Sequence, residues 1–298
     1  MNGIINVYKE KGFTSHDVVA KLRGILHQKK IGHTGTLDPD ATGVLPVCLG
    51  NATKLCDLLT DKDKTYEAVL KLGVVTDTQD FTGKILEELI VECSQEEMEQ
   101  VVYSFLGEYQ QIPPMYSALK VNGKKLYELA REGKVIERNP RQVKIHEIKI
   151  LNVNWQEKEV KFEVTCSKGT YIRTLCHDIG EKLGCGGVMK SLVRTRVSRF
   201  QIAESLSLAK IEELVKEEEL QEKIMAVDAF FINNPAIYMK EDANRLIYNG
   251  NFFQKRNVKS QEDGIGDWIR VYDSKNIFVG IYKLEEREEI YKPVKMFL

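Results

Sequence analysis

The residues best suited to do chemistry lie in one short stretch, Gly32-His33-Thr34-Gly35-Thr36-Leu37-Asp38-Pro39-Asp40-Ala41-Thr42-Gly43. Glycines, hydroxyls, an imidazole and two carboxylates make it too polar and too flexible for a core. Gly32, Gly35 and Gly43 permit backbone conformations that other residues disfavour. Pro39 biases Asp38 away from helical geometry. An acid fixed in a loop, with an imidazole five residues before it, is a candidate nucleophile or general acid/base. The ordinary alternative is an aspartate that closes an Asx-turn or caps a helix. His33 lacks the neighbours of a metal ligand, since the sequence has no HExxH and no His/Cys cluster, so no metal is expected.

Two further residues could share the chemistry. Tyr66 sits in an alternating segment and is either a half-buried sheet aromatic or a residue that stacks on a base or moves a proton. Arg173 lies in Cys166-Ser167-Lys168-Gly169-Thr170-Tyr171-Ile172-Arg173-Thr174, where a strand gives way to a helix whose N-terminus attracts anions. It reads as an ordinary helix-start arginine or as an ion-pair partner that keeps Asp38 ionised. No GxxxxGK[ST] pattern is present, which argues against a nucleoside triphosphate.

The elements that position these residues can be read from pattern. Residues 4–8 predict a strand, and Thr14-Ser15-His16-Asp17 a helix start. Residues 44–50 predict a buried strand, 52–59 a short helix and 65–72 an alternating strand. A polar loop follows over 76–83. Ser94 and Glu97 form a capping box for a helix reaching Leu106. Residues 111–114 must be extended or a turn. Leu126 to Glu132 is helical, Val143 to Val153 and Val160 to Cys166 are strands, and Thr174 to Leu183 is a helix stopped by Gly184, with a loop through 186–187. The acidic stretch 208–224 reads as a surface helix or helix pair. Asn233-Asn234-Pro235 is the best domain boundary, giving units 1–232 and 233–298. In the second, 268–272 and 277–282 flank a turn and predict a hairpin.

The 298 residues suit one large domain plus a small one, and 43% hydrophobic with 29% charged residues describes an ordinary globule. There is no signal-peptide pattern and no apolar run near the roughly 20 residues of a membrane helix, so a cytoplasmic protein is expected. The six cysteines show no CxxC spacing and read as reduced packing residues. A net charge of −1 weakens any nucleic-acid reading from bulk charge, and distribution matters more: a balanced total either hides a basic face or is scattered, solvated charge. Lys21-Arg23-His27-Lys29-Lys30 and Lys190-Arg194-Arg196-Arg199 are basic, whereas acid concentrates at 212–213 and 217–219. The second basic segment reads as a strand with a solvated basic face. No heptad or other assembly signal appears, which favours a monomer.

Several blocks together resemble the TruB family of tRNA pseudouridine synthases, in its bacterial form. They are Lys11-Gly12-Phe13-Thr14-Ser15, Gly35-Thr36-Leu37-Asp38-Pro39 continuing to Pro46, Lys64-Thr65-Tyr66, Thr76-Asp77-Thr78 with Asp80 and Gly83, Pro113-Pro114 to Gly123, Lys168 to Arg173, and Leu192-Val193-Arg194-Thr195. The resemblance implies an α+β fold with a mixed, largely antiparallel sheet flanked by helices, and a β-rich PUA-like RNA-binding unit over 233–298. It implies that uridine 55 in the T-loop of tRNA is isomerised from an N- to a C-glycosidic linkage, with no cofactor or metal. Asp38 is then the nucleophile, Arg173 its ion-pair partner, and Tyr66 a stacking residue. Tyr171 and Leu192 line the pocket, and His33 fills the space of the flipped nucleotide. The chemistry fits: the base must be extruded into an aromatic and apolar pocket. A carboxylate near the anomeric carbon suits glycosidic cleavage. Attack at C1′, attack at C6 and removal of a sugar proton all remain open. Glu10 stands where family members often have proline. Two other readings are a tRNA-binding or folding factor without essential catalysis, and a glycoside hydrolase using Asp40 or Asp77 as its second carboxylate.

Overall fold

A computed structural model describes residues 1–121, 123–262 and 267–298. Strand β1 (Gly3–Lys9) is almost wholly buried. Helix α1 (Ser15–Ile25) starts where the Thr14 hydroxyl accepts from the Asp17 N–H while the Asp17 carboxylate accepts from the Thr14 N–H. That reciprocal capping box is the one read from the sequence as a helix start. Strands β2 (Ile31–His33) and β3 (Thr42–Leu49) hold the Asp38 loop between them. A 3-10 turn and the short helix α2 (Cys56–Thr60) lead to β4 (Lys64–Leu72), whose alternation places Tyr66, Ala68, Leu70 and Leu72 in the core. Strands β5 (Val74–Thr76) and β6 (Ile85–Glu88) pair around the predicted polar loop. Helix α3 (Gln95–Tyr103) carries the Ser94–Glu97 capping box.

Strand β7 (Gly107–Gln111) precedes a small satellite, in which β8 (Lys120–Val121), β9 (Lys124–Lys125) and α4 (Leu126–Arg131) enclose Met115, Leu126 and Leu129. The long strands β10 (Arg141–Asn154) and β11 (Glu159–Cys166) follow. Helix α5 (Ile172–Lys182) begins two residues earlier than the sequence suggested, and so takes Arg173 into its first turn. Strand β12 (Gly187–Val197) begins within the expected loop. A Cβ on Gly180 of α5 would lie 2.1 Å from the Gly187 nitrogen, so helix and strand touch through glycine. Strand β13 (Phe200–Gln201) and helix α6 (Leu208–Lys216) complete this part. The acidic stretch is amphipathic, because α6 buries Leu208, Ile211 and Leu214 against α1, β1 and β3.

The large sheet runs β1-β3-β12-β4-β11-β10-β7, with β2 on β3 and β13 on β12. Every pairing is antiparallel except β3 with β12. That parallel contact sets Gly43 beside Arg194. Gly43 has φ +108°, and a Cβ there would lie 2.2 Å from the Arg194 carbonyl oxygen, so glycine is required on both counts.

The residues after 235 build a second, six-stranded sheet. Its elements are β14 (Ala236–Met239), α7 (Asn244–Tyr248), β15 (Phe253–Gln254), β16 (Val258–Gln261), β17 (Ile269–Tyr272), β18 (Phe278–Glu285) and β19 (Ile290–Met296). The order is β15-β19-β18-β17-β14-β16, and β17–β18 is the predicted hairpin. Phe231, Ile281 and Phe297 join Val44, Leu55 and Val197 in one core, so the two sheets share apolar packing. The fold is the expected mixed, largely antiparallel sheet with helices and a β-rich C-terminal unit. Among the described residues no helix is long and apolar enough to cross a membrane, and no group of His, Cys, Asp and Glu could hold a metal ion.

Candidate active site

The Asp38 loop is fastened on both sides of its acid. The Leu37 N–H donates to the Ser15 hydroxyl at 2.9 Å, and Leu37 itself is buried. The Pro39 carbonyl accepts from the Gly12 N–H at 2.9 Å and from the Lys9 ammonium at 3.0 Å. Lys9 is wholly buried and also donates to the carbonyls of Glu10 and Phe13. Burial pulls its pKa down to about 8, against the attraction of Asp38.

Asp38 and Arg173 lie 135 residues apart and meet: Nε is 3.1 Å from one carboxylate oxygen and Nη2 3.5 Å from the other. The arginine side chain is 7% exposed and the aspartate 41%, so the carboxylate faces the opening from a buried cationic floor. The same guanidinium donates to the carbonyls of Tyr116 at 2.8 Å and Thr78 at 3.3 Å, and lies 3.6 Å from Asp80. Burial raises the Asp38 pKa; Arg173 pulls it down and Asp80 pushes it up again. The sequence reading expected Arg173 to favour the ionised acid. It does so, but its attraction is outweighed by desolvation.

The other candidates fall around this pair. Tyr66 is buried on β4, and Leu192 is buried on β12; both belong to the core that contains Leu37 and Ala41. Tyr171 caps α5, and its main chain is gripped by the Gln111 side chain, which accepts from its N–H at 2.8 Å and donates to its carbonyl at 3.0 Å. Asp38 makes its charge felt at both tyrosines, whose pKa values are raised first of all by burial. His33 stands apart from the ion pair, at the end of β2. Its Nδ1 accepts from the Gly35 N–H at 3.3 Å, and its ring lies edge-on to His16 at 6.0 Å. Burial, with His16 and Arg194 adding to it, lowers its pKa.

Two readings from the sequence are corrected. The Lys190–Arg199 segment is not a solvated basic face: Arg194 is 1% exposed, Lys190 pairs with Glu159, and Arg199 donates to the carbonyls of Ala229 and Phe230. Period-2 patterning placed Arg194 on the sheet but gave no sign that its face was covered. Asp40 and Asp77 are not the second carboxylate of the site. Asp40 makes an exposed ion pair with Lys11, and Asp77 accepts from the Lys84 N–H in a turn; Asp80 is the acid that approaches Arg173. Lys9, Lys64 and Gln111 also escaped notice as site-building residues, since nothing in a single sequence marks a lysine or glutamine as buried. A cavity of about 680 Å³ between α1 and α6 contains none of the site residues.

Comparison with known proteins agrees with this architecture. The chain is 29% identical, with a TM-score of 0.73, to a chain in a Cbf5–Nop10–Gar1 complex, covering 99% of this chain and 85% of that one. A chain in an H/ACA RNP bound to a substrate RNA containing 2′-deoxyuridine matches at 26% identity, TM-score 0.72 and the same coverage. The family model for the TruB family pseudouridylate synthase N-terminal domain matches residues 23–172, and that for the tRNA pseudouridylate synthase B C-terminal domain matches 173–231. The tRNA pseudouridine synthase B of Lachnoclostridium phytofermentans is 60% identical over the full length of both chains. That of Alkaliphilus oremlandii is 46% identical, covering 98% of this chain and 96% of its own. The chain belongs to the TruB family of pseudouridylate synthases, enzymes that form pseudouridine in tRNA.

Proposed function

We propose that this enzyme isomerises uridine 55 in the T-loop of tRNA, with Asp38 as the catalytic carboxylate. The observation that carries the reading is the partly open Asp38 carboxylate on the buried Arg173, whose charge is felt at the buried Tyr66 and the half-buried Tyr171. The extruded base stacks on Tyr66, with Tyr171 and Leu192 as walls, and His33 occupies the place it leaves. Asp38 acts at the reacting nucleoside while Arg173 holds it in line. The N1–C1′ bond breaks with its electron pair going to N1, the detached uracil turns within the pocket, and C5 bonds to C1′; C5 then gives up its proton to a base and N1 takes one up, so atoms and charge balance without a cofactor. Residues 233–298 serve as a PUA-like RNA-binding unit, and the enzyme works as a monomer.

The test is to incubate the protein with an unmodified tRNA transcript and map pseudouridine at single-nucleotide resolution, with Asp38→Asn alongside. Product at position 55 with the wild type alone is the expected result. Product elsewhere overturns the site assignment, and product from the variant overturns the role of Asp38. Free uracil would indicate hydrolysis.

A further inference from the structure

Arg194 heads the fully buried side chains in size, at 1% exposure. Desolvating a guanidinium is costly, and hydrogen bonds to neutral groups offset only part of that cost. Arg173 faces two carboxylates, but the acceptors of Arg194 are main-chain carbonyls. Its Nε donates to Val44 at 2.7 Å and its Nη2 to Gly35 at 3.1 Å. Those carbonyls bracket the Asp38 loop, one three residues before the acid and the other at the start of the buried strand beyond it. Arg194 lies directly against this turn: a Cβ on Gly35 would make ordinary contact with Arg194 Nη1 at 3.7 Å and Lys64 Cε at 3.6 Å, and it is the φ of +141° that favours glycine there.

The third side of the guanidinium meets the other half of the site. Arg194 and Tyr66 are direct cross-strand partners in the β12–β4 register, and the guanidinium faces the Tyr66 hydroxyl. One rigid planar fork therefore touches the loop that carries Asp38 and the aromatic on the neighbouring strand. An ammonium could not reproduce that geometry.

We propose that Arg194 is a positioning residue of the pseudouridine-forming site, setting the distance and orientation of Tyr66 relative to the Asp38 loop through its shared contacts with Gly35, Val44 and the Tyr66 hydroxyl. The inference rests on the reading that Asp38 and Tyr66 act on the target uridine. It assigns the burial of this cation to the alignment of two substrate-facing groups rather than to fold stability alone.

The experiment is a double-mutant cycle. Single-turnover pseudouridine formation and tRNA Kd are measured for the wild type, Arg194→Lys, Tyr66→Phe and the double variant. Arg194→Gln is run in parallel, and thermal melts show which substitution is folded at the assay temperature and enters the cycle. Misalignment of preorganised groups should slow the chemical step by about 10- to 100-fold while tRNA Kd stays within about threefold. In the Tyr66→Phe background the hydroxyl is gone, and the same substitution should slow the reaction by less than about threefold. Equal slowing in both backgrounds would overturn the proposal, because the clamp would then act on the loop or the fold alone. A wild-type rate, or a loss of affinity as large as the loss of rate, would overturn it too. Asp38→Asn separates the two readings: if it stays active the assignment of Asp38 fails, and if it is inactive while the Arg194 variant reacts normally only the present inference falls.

Discussion

The two sheets of this protein bury charge in different ways. In the C-terminal sheet, Arg270 pairs with Glu262 at 3.0 Å and donates to the Asn234 carbonyl and the Tyr272 hydroxyl, while that hydroxyl donates to Asp228. Asp273 is buried too. Burial pushes its pKa up, but the Tyr248 hydroxyl and the N–H groups of Ile277 and Lys275 outweigh it and hold the carboxyl below its usual value. Charges and partners close on themselves there. Around Asp38 they do not: Lys9, Lys64, Arg173 and Arg194 are buried, while Asp38 and Asp80 are the acids facing Arg173. Among the described residues Lys64 donates only to neutral carbonyls, of Thr60 and Lys62. A closed network fixes a fold; a surplus of buried positive charge beside an opening suits an anionic substrate such as RNA.

The sharpest way to break this contrast is Asp38→Asn, which should lower pseudouridine formation by roughly 10⁴-fold in a single-turnover assay. The same variant should be no less stable. The pKa of Asp38 is raised in the fold. Above the ordinary carboxylate value the native state thus holds more protons than the unfolded chain, and stability is lost as pH rises through that window. An amide cannot ionise, so the melting temperature of Asp38→Asn relative to wild type should increase from acid toward neutral pH. Next in size, Arg173→Met removes the floor beneath Asp38 and should slow the reaction by about 10²- to 10³-fold, with tRNA affinity measured in parallel.

The C-terminal side should respond in stability instead. Phe231 packs against Phe230, Trp268, Phe278 and Phe297 at centroid distances of 5.1–6.4 Å, where both sheets meet. Phe231→Ala should cost about 3–5 kcal/mol in urea unfolding and leave the chemical step of the folded fraction unchanged. Glu262→Gln, at a half-exposed partner, should cost within about 1 kcal/mol and leave activity alone. The smallest effect is one of pH. Burial lowers Lys9 and Lys64 from 10.5 to about 8. Between those values the unfolded chain binds more protons, so the stability of wild type relative to Lys64→Met should rise with pH across that window. A flat difference would remove Lys64 from the buried-charge account.

Much of this was legible in the sequence because it depends on local rules. Thr14 to Asp17 marks a helix start, Ser94–Glu97 carries the capping-box pattern, the alternation of β4 declares its face, and the turn before Phe278 marks its hairpin. The Asp38 loop announced itself through glycines and Pro39. What stayed hidden depends on which surfaces are covered. Arg194 and Arg196 look alike on an alternating strand, yet one is sealed beneath the Asp38 loop and the other is half-exposed. The rise in the Asp38 pKa likewise comes from desolvation and from Asp80, set by packing between segments remote in the chain.

The parallel contact of β3 with β12 has a consequence during synthesis. Gly35 and the arginine that holds it are 159 residues apart. At roughly 5–20 residues per second on the ribosome, the loop must wait some 8–30 seconds for its clamp. A nascent chain therefore displays the Asp38 loop long before it can be assembled into a working site, and an N-terminal fragment ending before β12 should be catalytically silent however well its first strands pair.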